Sequence, residues 1–256
     1  MKISIITATY NSEKSLQRTI DSIVSQDYAN IEHIIIDGGS TDNTLAIIKS
    51  NLNSIDKYIS ERDNGIYSAL NAGIKLATGD IIGFLHSDDI YNDEFVVSKI
   101  IQTFRTENCD VLYGNLIYQS KNNDNPKTIR FWKSNLFHPA SLKYGWMPPH
   151  PTVYCKKEIY HQYGSFNEKY RISSDYDFIL RIFKEHNIQK TFLPSILVKM
   201  NVGGISNGSI KGILRKSKED YQTIRQNKVG GFYTIIFKNF RKIFQFSKFR
   251  TPKTSC

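Results

Sequence analysis

Residues 79–93 read GDIIGFLHSDDIYND, an apolar run from Ile81 to Leu85 that leads into adjacent carboxylates, Asp88 and Asp89. Neighbouring aspartates repel and are costly to dehydrate, so a buried strand that delivers them to its end needs a partner for their charge. No basic residue adjoins the pair. A hard divalent cation, Mn2+ or Mg2+, suits it, bridging onward to the oxygens of a diphosphate. The plain alternative is that both aspartates cap the next turn or helix. Two further polar clusters, Thr9-Tyr10-Asn11 and Asp37-Gly38-Gly39-Ser40, also follow apolar runs. A capping role for the pair leaves these two unexplained.

The clusters have to be positioned by strands. Ile3–Thr7, Ile31–Asp37, Lys57–Glu61 and Ile81–Leu85 read as strands over the first 115 residues. Between and after them fall helical patterns: Leu16, Ile20, Ile23 and Val24 at helical spacing, a short helix with Thr41 as cap, Ile66–Ala77 closed by Gly79, and Asp93–Glu107. Alternation of this kind, with continuous apolar strands, predicts an α/β fold with a mostly parallel sheet and helices on both faces. In such sheets ligands bind beyond the carboxyl ends of the strands, so the three clusters are expected to converge on one edge. There is no GxGxxG and no GxxxxGK[ST], which argues against dinucleotide and P-loop sites.

After Asp110 the texture changes. Val111–Gln119 and Thr128–Trp132 flank KNNDNP and predict a hairpin. FHPASLKYGWMPPHPT predicts a long ordered loop over a pocket, Asp175–Glu185 a helix, and Thr191–Met200 a last strand. Gly203-Gly204-Ile205-Ser206 follows that strand and could fold over a diphosphate.

Charge is unevenly placed. Of 34 basic and 24 acidic residues, 12 and 2 lie from Asn207 onward, which leaves 22 of each before it. The body is neutral and the tail carries the whole excess. A neutral sheet half without RRM, KH or zinc signatures argues against a nucleic-acid binder. Three scattered cysteines, Cys109, Cys155 and Cys256, form no CxxC pair and point to idle thiols in a reducing compartment. No secretory signal and no spanning apolar stretch is legible in the sequence. Within the tail, helical spacing puts Phe232, Ile236, Phe240, Ile243 and Phe244 along one side and Lys238, Arg241 and Lys242 on the other. A basic amphipathic helix of this kind suits an anionic membrane surface. The other reading is a helix whose apolar side packs on the body or on a second subunit. Oligomeric assembly is left open.

Three long segments together resemble the family 2 glycosyltransferases, inverting enzymes of the A-type, Rossmann-like fold. ISIITATYNSEKSLQRTIDSIVSQDYANIEHIIIDGGSTDNT resembles the family's opening, and SERDNGIYSALNAGIKLATGDIIGFLHSDD leads to its DxD or xDD metal-binding motif. HPTVYCKKEIYHQYGSFNEKYRISSDYDFILRIFK resembles the acceptor half. The resemblance implies one transferase domain over residues 1–206, with the nucleotide-sugar half in 1–115 and the acceptor half in 116–206, followed by the helical tail 207–256. It implies transfer of a sugar, with inversion, from a nucleotide diphosphate sugar to a hydroxyl of a glycan or lipid-linked acceptor. Synthesis of a surface polysaccharide such as lipopolysaccharide, or of a glycolipid, at the cytoplasmic face of a membrane fits the basic tail. A binding-only relative and a sugar nucleotidyltransferase remain the alternatives, although the second lacks its glycine- and arginine-rich N-terminal loop.

Carried over by residue, the resemblance puts Thr7, Thr9, Tyr10, Asn11 and Asp37 around the nucleotide. It makes Asp89 the direct metal ligand, with Asp88 near the ribose or a metal-bound water. Asp175 takes the place of the catalytic base, with Asp177 as runner-up, and His150 faces the diphosphate or metal. Asp63 orients the nucleotide or forms the Asn64-Gly65 turn. Gly38 stands where relatives commonly have a second, base-reading aspartate, Ser68 where they often have Asp, and Ser174 where they often have Glu.

Overall fold

The computed structural model describes residues 1–120, 126–201 and 210–246, and side chains within these except at 210, 211 and 242–246. The chain starts with β1 (Ile3–Thr9), α1 (Leu16–Val24), β2 (Ile31–Asp37), α2 (Thr44–Ser50), β3 (Lys57–Ser60), α3 (Ile66–Leu76) and β4 (Ile81–Phe84). All seven residues of β1 are buried, as a strand covered on both faces must be. Ile3 and Ile5 enter one packed layer with Val97, Ile100 and Phe104. Ile6 and Ala8 enter the other with Leu70 and Ile74 of α3.

The second half adds β5 (Asp89–Tyr91), α4 (Val96–Thr106), β6 (Val111–Gln119), β7 (Thr128–Trp132), β8 (Tyr154–Lys156), α5 (Lys157–Tyr163), α6 (Ser174–Phe183) and β9 (Lys190–Asn201). One sheet results, in the order β3-β2-β1-β4-β8-β6-β9-β5, with β7 on β6. Its first four strands are mutually parallel. Beyond them β8 runs antiparallel to β4 and β6, β9 parallel to β6, and β5 antiparallel to β9. The fold is α/β with a parallel nucleus and mixed additions. The carboxyl ends of β1, β2 and β4 share an edge, as the sequence predicts.

Several boundaries move for identifiable reasons. Thr41 is not the cap of α2: Asp42 accepts from the Thr44 amide at 3.0 Å, and the helix starts there. Gly79 does not close α3, whose C-cap is Ala77. A Cβ at Gly79 would lie 2.7 Å from the Ser4 amide nitrogen, so this glycine permits a close approach. β7 pairs antiparallel with β6, confirming the hairpin, while residues 121–125 of KNNDNP lie outside the described residues.

The tail forms two helices, α7 (Ile210–Gln226) and α8 (Phe232–Phe246). Its orientation departs from expectation. Lys238 is only 5% exposed and pairs with Asp220 at 2.9 Å, whereas Phe232, Ile236 and Phe240 are exposed by 70%, 42% and 55%. The inward face of α8 is the one with Thr234 and Lys238, and the apolar face looks outward. Ile243, Phe244 and Lys242 lie outside the described side chains. Among the described residues no helix is long and apolar enough to cross a membrane.

Candidate active site

The three clusters meet at the shared edge. The Asn11 amide donates to Ser40 Oγ at 2.8 Å, and Asn11 Oδ1 accepts from the Thr41 amide at 2.9 Å. Ser12 and Ser87 hydroxyls lie 2.8 Å apart and tie the first cluster to the third. Asn11 adopts φ +49, the left-handed conformation that asparagine tolerates better than most residues. Tyr10 next to it is 60% exposed. Thr9 is buried, with its hydroxyl unpartnered among the described residues. Thr7 is fully buried with its hydroxyl 3.1 Å from His33 Nε2, inside the sheet and away from the cleft surface.

Asp37 is buried and already engaged: it accepts from the Ser40 amide and hydroxyl and from the Ser60 hydroxyl at 2.7 Å. It therefore shapes the turn. Asp63 accepts from the Gly65 amide at 2.8 Å, so the turn reading holds for one oxygen. A Cβ built on Gly38 would lie 2.8 Å from the other, Oδ2. The carboxylate of Asp63 thus occupies the space that a side chain at position 38 would take.

Asp89 is fully buried at the start of β5, and neither carboxyl oxygen has a partner among the described residues. Burial first, and then the charge of Asp88, push its carboxyl well above the usual range. The half-buried Asp88 is fixed through its carbonyl, which accepts from Asn201 at 2.9 Å. A buried carboxylate with two orphaned oxygens is a donor set for a hard cation. Among the described residues no group of three or more His, Cys, Asp or Glu is gathered around a metal position. The fit is to an ion held by one or two carboxylates with phosphate oxygens completing its shell, as Mg2+ is usually bound.

Asp175 sits in the first turn of α6. One oxygen lies 3.1 Å from His150 Nδ1 and the other 3.1 Å from the Tyr67 hydroxyl, which donates also toward the Ile172 carbonyl at 2.6 Å. Burial would raise its pKa, but His150, Lys238 and Lys216 outweigh that and hold the carboxyl below the usual aspartate value. It is ionised at neutral pH. His150 itself is pushed down by burial and by Lys216, against the pull of Asp175, so its neutral ring contributes an N–H to the carboxylate. Asp177, in contrast, is consumed by Arg181 Nε and Asn227 Nδ2, each at 2.9 Å. It is structural.

Two side chains here escape a reading by motif. His86, three residues before Asp89, faces His150 with ring centroids 6.0 Å apart. Burial, then His150, lowers its pKa to about 4, and its Nδ1 is buried and unpartnered among the described residues. Tyr67 had a signal in GIY, but its target, Asp175, lies 108 residues on. Gly203-Gly204-Ile205-Ser206 falls outside the described residues.

The comparisons with known proteins bear on this arrangement. A family model described as Glycosyl transferase family 2 matches residues 4–174. A PGL/p-HBAD biosynthesis glycosyltransferase of Mycobacterium bovis (strain BCG / Pasteur 1173P2) is 28% identical over 209 residues, covering 80% of this chain and 78% of that protein. An uncharacterized glycosyltransferase of Mycobacterium tuberculosis (strain ATCC 25618 / H37Rv) is 41% identical over 101 residues, 39% of this chain and 38% of the other. Among solved structures, S. aureus TarS 1–349 in complex with UDP-GlcNAc superposes with a TM-score of 0.69 at 20% identity, over 90% of this chain and 66% of that one. The chain spans 39% of the longer TarS chain. The mannosyltransferase PcManGT from Pyrobaculum calidifontis, in complex with GDP-Man and Mn2+, gives 0.64 at 15% identity, over 93% and 68%. These likenesses confirm the A-type fold, and the family match over residues 4–174 places the chain in glycosyltransferase family 2.

Proposed function

We propose that this chain transfers a sugar from a nucleotide diphosphate sugar to a hydroxyl of a glycan or lipid-linked acceptor, with inversion. The observation that carries the reading is the contrast between its two acidic centres: Asp175, ionised and hydrogen-bonded, and Asp89, buried with both oxygens unpartnered among the described residues. Asp175 takes the acceptor proton as that oxygen attacks the anomeric carbon, and the bond to the diphosphate breaks on the opposite side. His150 and Tyr67 hold the Asp175 carboxylate. Asp89, with Asp88, would hold a divalent cation, Mn2+ or Mg2+, which when bound offsets the charge of the departing diphosphate. The neighbour with GDP-Man and Mn2+ supports that choice. Thr9, Tyr10, Asn11 and Asp63 receive the nucleoside.

The outward apolar face of α8 favours an acceptor presented at a membrane. Phe232, Tyr233, Ile236, Phe237 and Phe240 are all exposed, next to the exposed Arg241 and ahead of Lys248, Arg250 and Lys253. Aromatic rings with flanking cations suit the inner, anionic leaflet of a membrane, where a surface glycolipid or a lipid-linked polysaccharide precursor would be extended.

The test is thermal stabilisation by a panel of nucleotide sugars with and without Mn2+ or Mg2+, followed by transfer to lipid-linked acceptors. Cation-dependent stabilisation by one donor and turnover are expected. Stabilisation by no nucleoside diphosphate overturns the reading, and stabilisation without turnover on any acceptor leaves a binding protein.

A further inference from the structure

The tail reaches the site through a carboxylate. Glu219 on α7 is buried and accepts the backbone amides of Arg171, Ile172 and Ser173 at 3.3, 2.8 and 3.1 Å. These residues lead into the first turn of α6, where Ser173, the N-cap, makes no side-chain capping bond. Its hydroxyl turns away and donates to Asp220 at 2.8 Å. Asp220 pairs with Lys238 of α8, whose ammonium lies 3.2 Å from the centroid of the Tyr176 ring. Asn227 holds Asp177. Positions 173, 176 and 177 are thus gripped from the tail, and Asp175 between them is left to His150 and Tyr67.

The bland reading is a helix pinned to the body for stability, and Ile224 and Val229 do supply apolar packing. It does not explain the concentration of polar bonds on one helical turn. Buried carboxylates are costly to place, and one that accepts three consecutive amides fixes the direction in which the backbone enters the helix. A side chain two residues further on inherits that direction.

We propose that Glu219 is a positioning residue for transfer: by holding residues 171–173 it sets the line along which Asp175 meets the acceptor hydroxyl, and α7 is part of the catalytic machinery. This rests on the assignment of Asp175 as base.

The experiment uses Glu219→Ala and Glu219→Gln in the full chain, with the nucleotide sugar that stabilises the wild type. For Glu219→Ala a fall in kcat of roughly 10- to 100-fold is expected, the scale of a misplaced reacting group. Donor affinity should stay within about twofold, and Glu219→Gln, which keeps one acceptor oxygen, should recover most of the rate. Unchanged kcat in a folded Glu219→Ala protein overturns the proposal. So does a joint fall of donor affinity, melting temperature and kcat without recovery in Glu219→Gln, the pattern of a structural role. A second readout needs no turnover: NMR titration of His150, whose charged or titratable neighbours are Asp175, Lys216 and His86. Withdrawal of Asp175 removes the group that raises the His150 pKa, so its midpoint should drop in Glu219→Ala. An identical midpoint means that Glu219 does not place Asp175. A shifted midpoint together with an active Asp175→Asn protein keeps the positioning and removes the base assignment.

Discussion

His150 Nδ1 lies 3.1 Å from Oδ2 of Asp175, and the same histidine ring faces His86, three residues from Asp89. One imidazole therefore links the carboxylate that would take a proton to the loop that would hold the leaving group.

Asp175→Asn keeps the shape and removes the basic oxygen. Turnover should fall by about 10² or more, the usual contribution of a general base. Donor affinity, read by calorimetry, should stay near wild type. Full turnover in this variant would move the base elsewhere, although Asp177 is already taken by Arg181 and Asn227.

Asp89→Asn should act in opposite directions with and without metal. Without a cation it removes a buried ionisable carboxyl that has no partner among the described residues, so the melting temperature should rise. The sign follows from a folded-state pKa raised above the ordinary value of 3.8: the penalty is absent below 3.8, grows as pH rises from there toward the raised value, and is constant above it. With Mn2+ present, the same variant should lose cation-dependent donor binding. A lower melting temperature and intact metal dependence would mark Asp89 as structural.

Asp63→Ala should weaken nucleoside diphosphate binding about tenfold or more, the scale of a lost hydrogen bond to a charged acceptor. Affinity for inorganic diphosphate should not change. Equal losses for both ligands would show that Asp63 only supports the turn at Gly65.

Lys238→Met leaves Asp220 buried and unpaired, a change that typically costs about 3–5 kcal/mol. Adding Asp220→Asn should restore most of that stability while keeping an acceptor for Ser173. In the double variant Asp175 loses a cation that holds its pKa down. Its carboxyl should then protonate at higher pH, and the acid limb of the kcat profile should move up. An unmoved limb would show that Lys238 has no influence on the base.

Phe232→Ser with Phe240→Ser removes two exposed rings from α8. Burial of such a side chain contributes about 1.5–3 kcal/mol, so liposome binding should drop at least tenfold for each. Sedimentation with anionic vesicles at low salt, with circular dichroism for folding, checks this. Wild-type protein that ignores such vesicles leaves the aromatic face for a protein partner.

Much of the frame was legible because it is written in continuous apolar runs. β2, β6 and β7 coincide with the strands read from Ile31–Asp37, Val111–Gln119 and Thr128–Trp132. Three-residue strands such as β5 and β8 are too short to show a period, and α7 is too polar along its length to announce itself. Helix starts slipped where an aspartate spends its carboxylate forward, as Asp42 and Asp93 do on the amides of Thr44 and Phe95. Lys238 was read as solvent-facing because lysine is rarely buried unless paired, and its partner Asp220 sits on a different helix. The site's charges were visible in HSDD and DYD. Their neighbours were less so: His150 was read as facing the diphosphate or metal, not as a partner of Asp175, while Tyr67 and Glu219 reach Asp175 or its turn across 108 and 46 or more positions.

The grip of Glu219 and Lys238 on the turn of Asp175 also imposes an order in time. During translation, at about 5–20 residues per second, residue 238 follows residue 175 by roughly 3 to 13 seconds. The sheet can pair while those last helices are still being made, because β1 to β9 are complete by Asn201. With Asp175 as the proposed base, a nascent chain would form the edge at β1, β2 and β4 before the turn of Asp175 is locked. On the proposed function, a copy terminated before Glu219 would bind donor yet spend none of it.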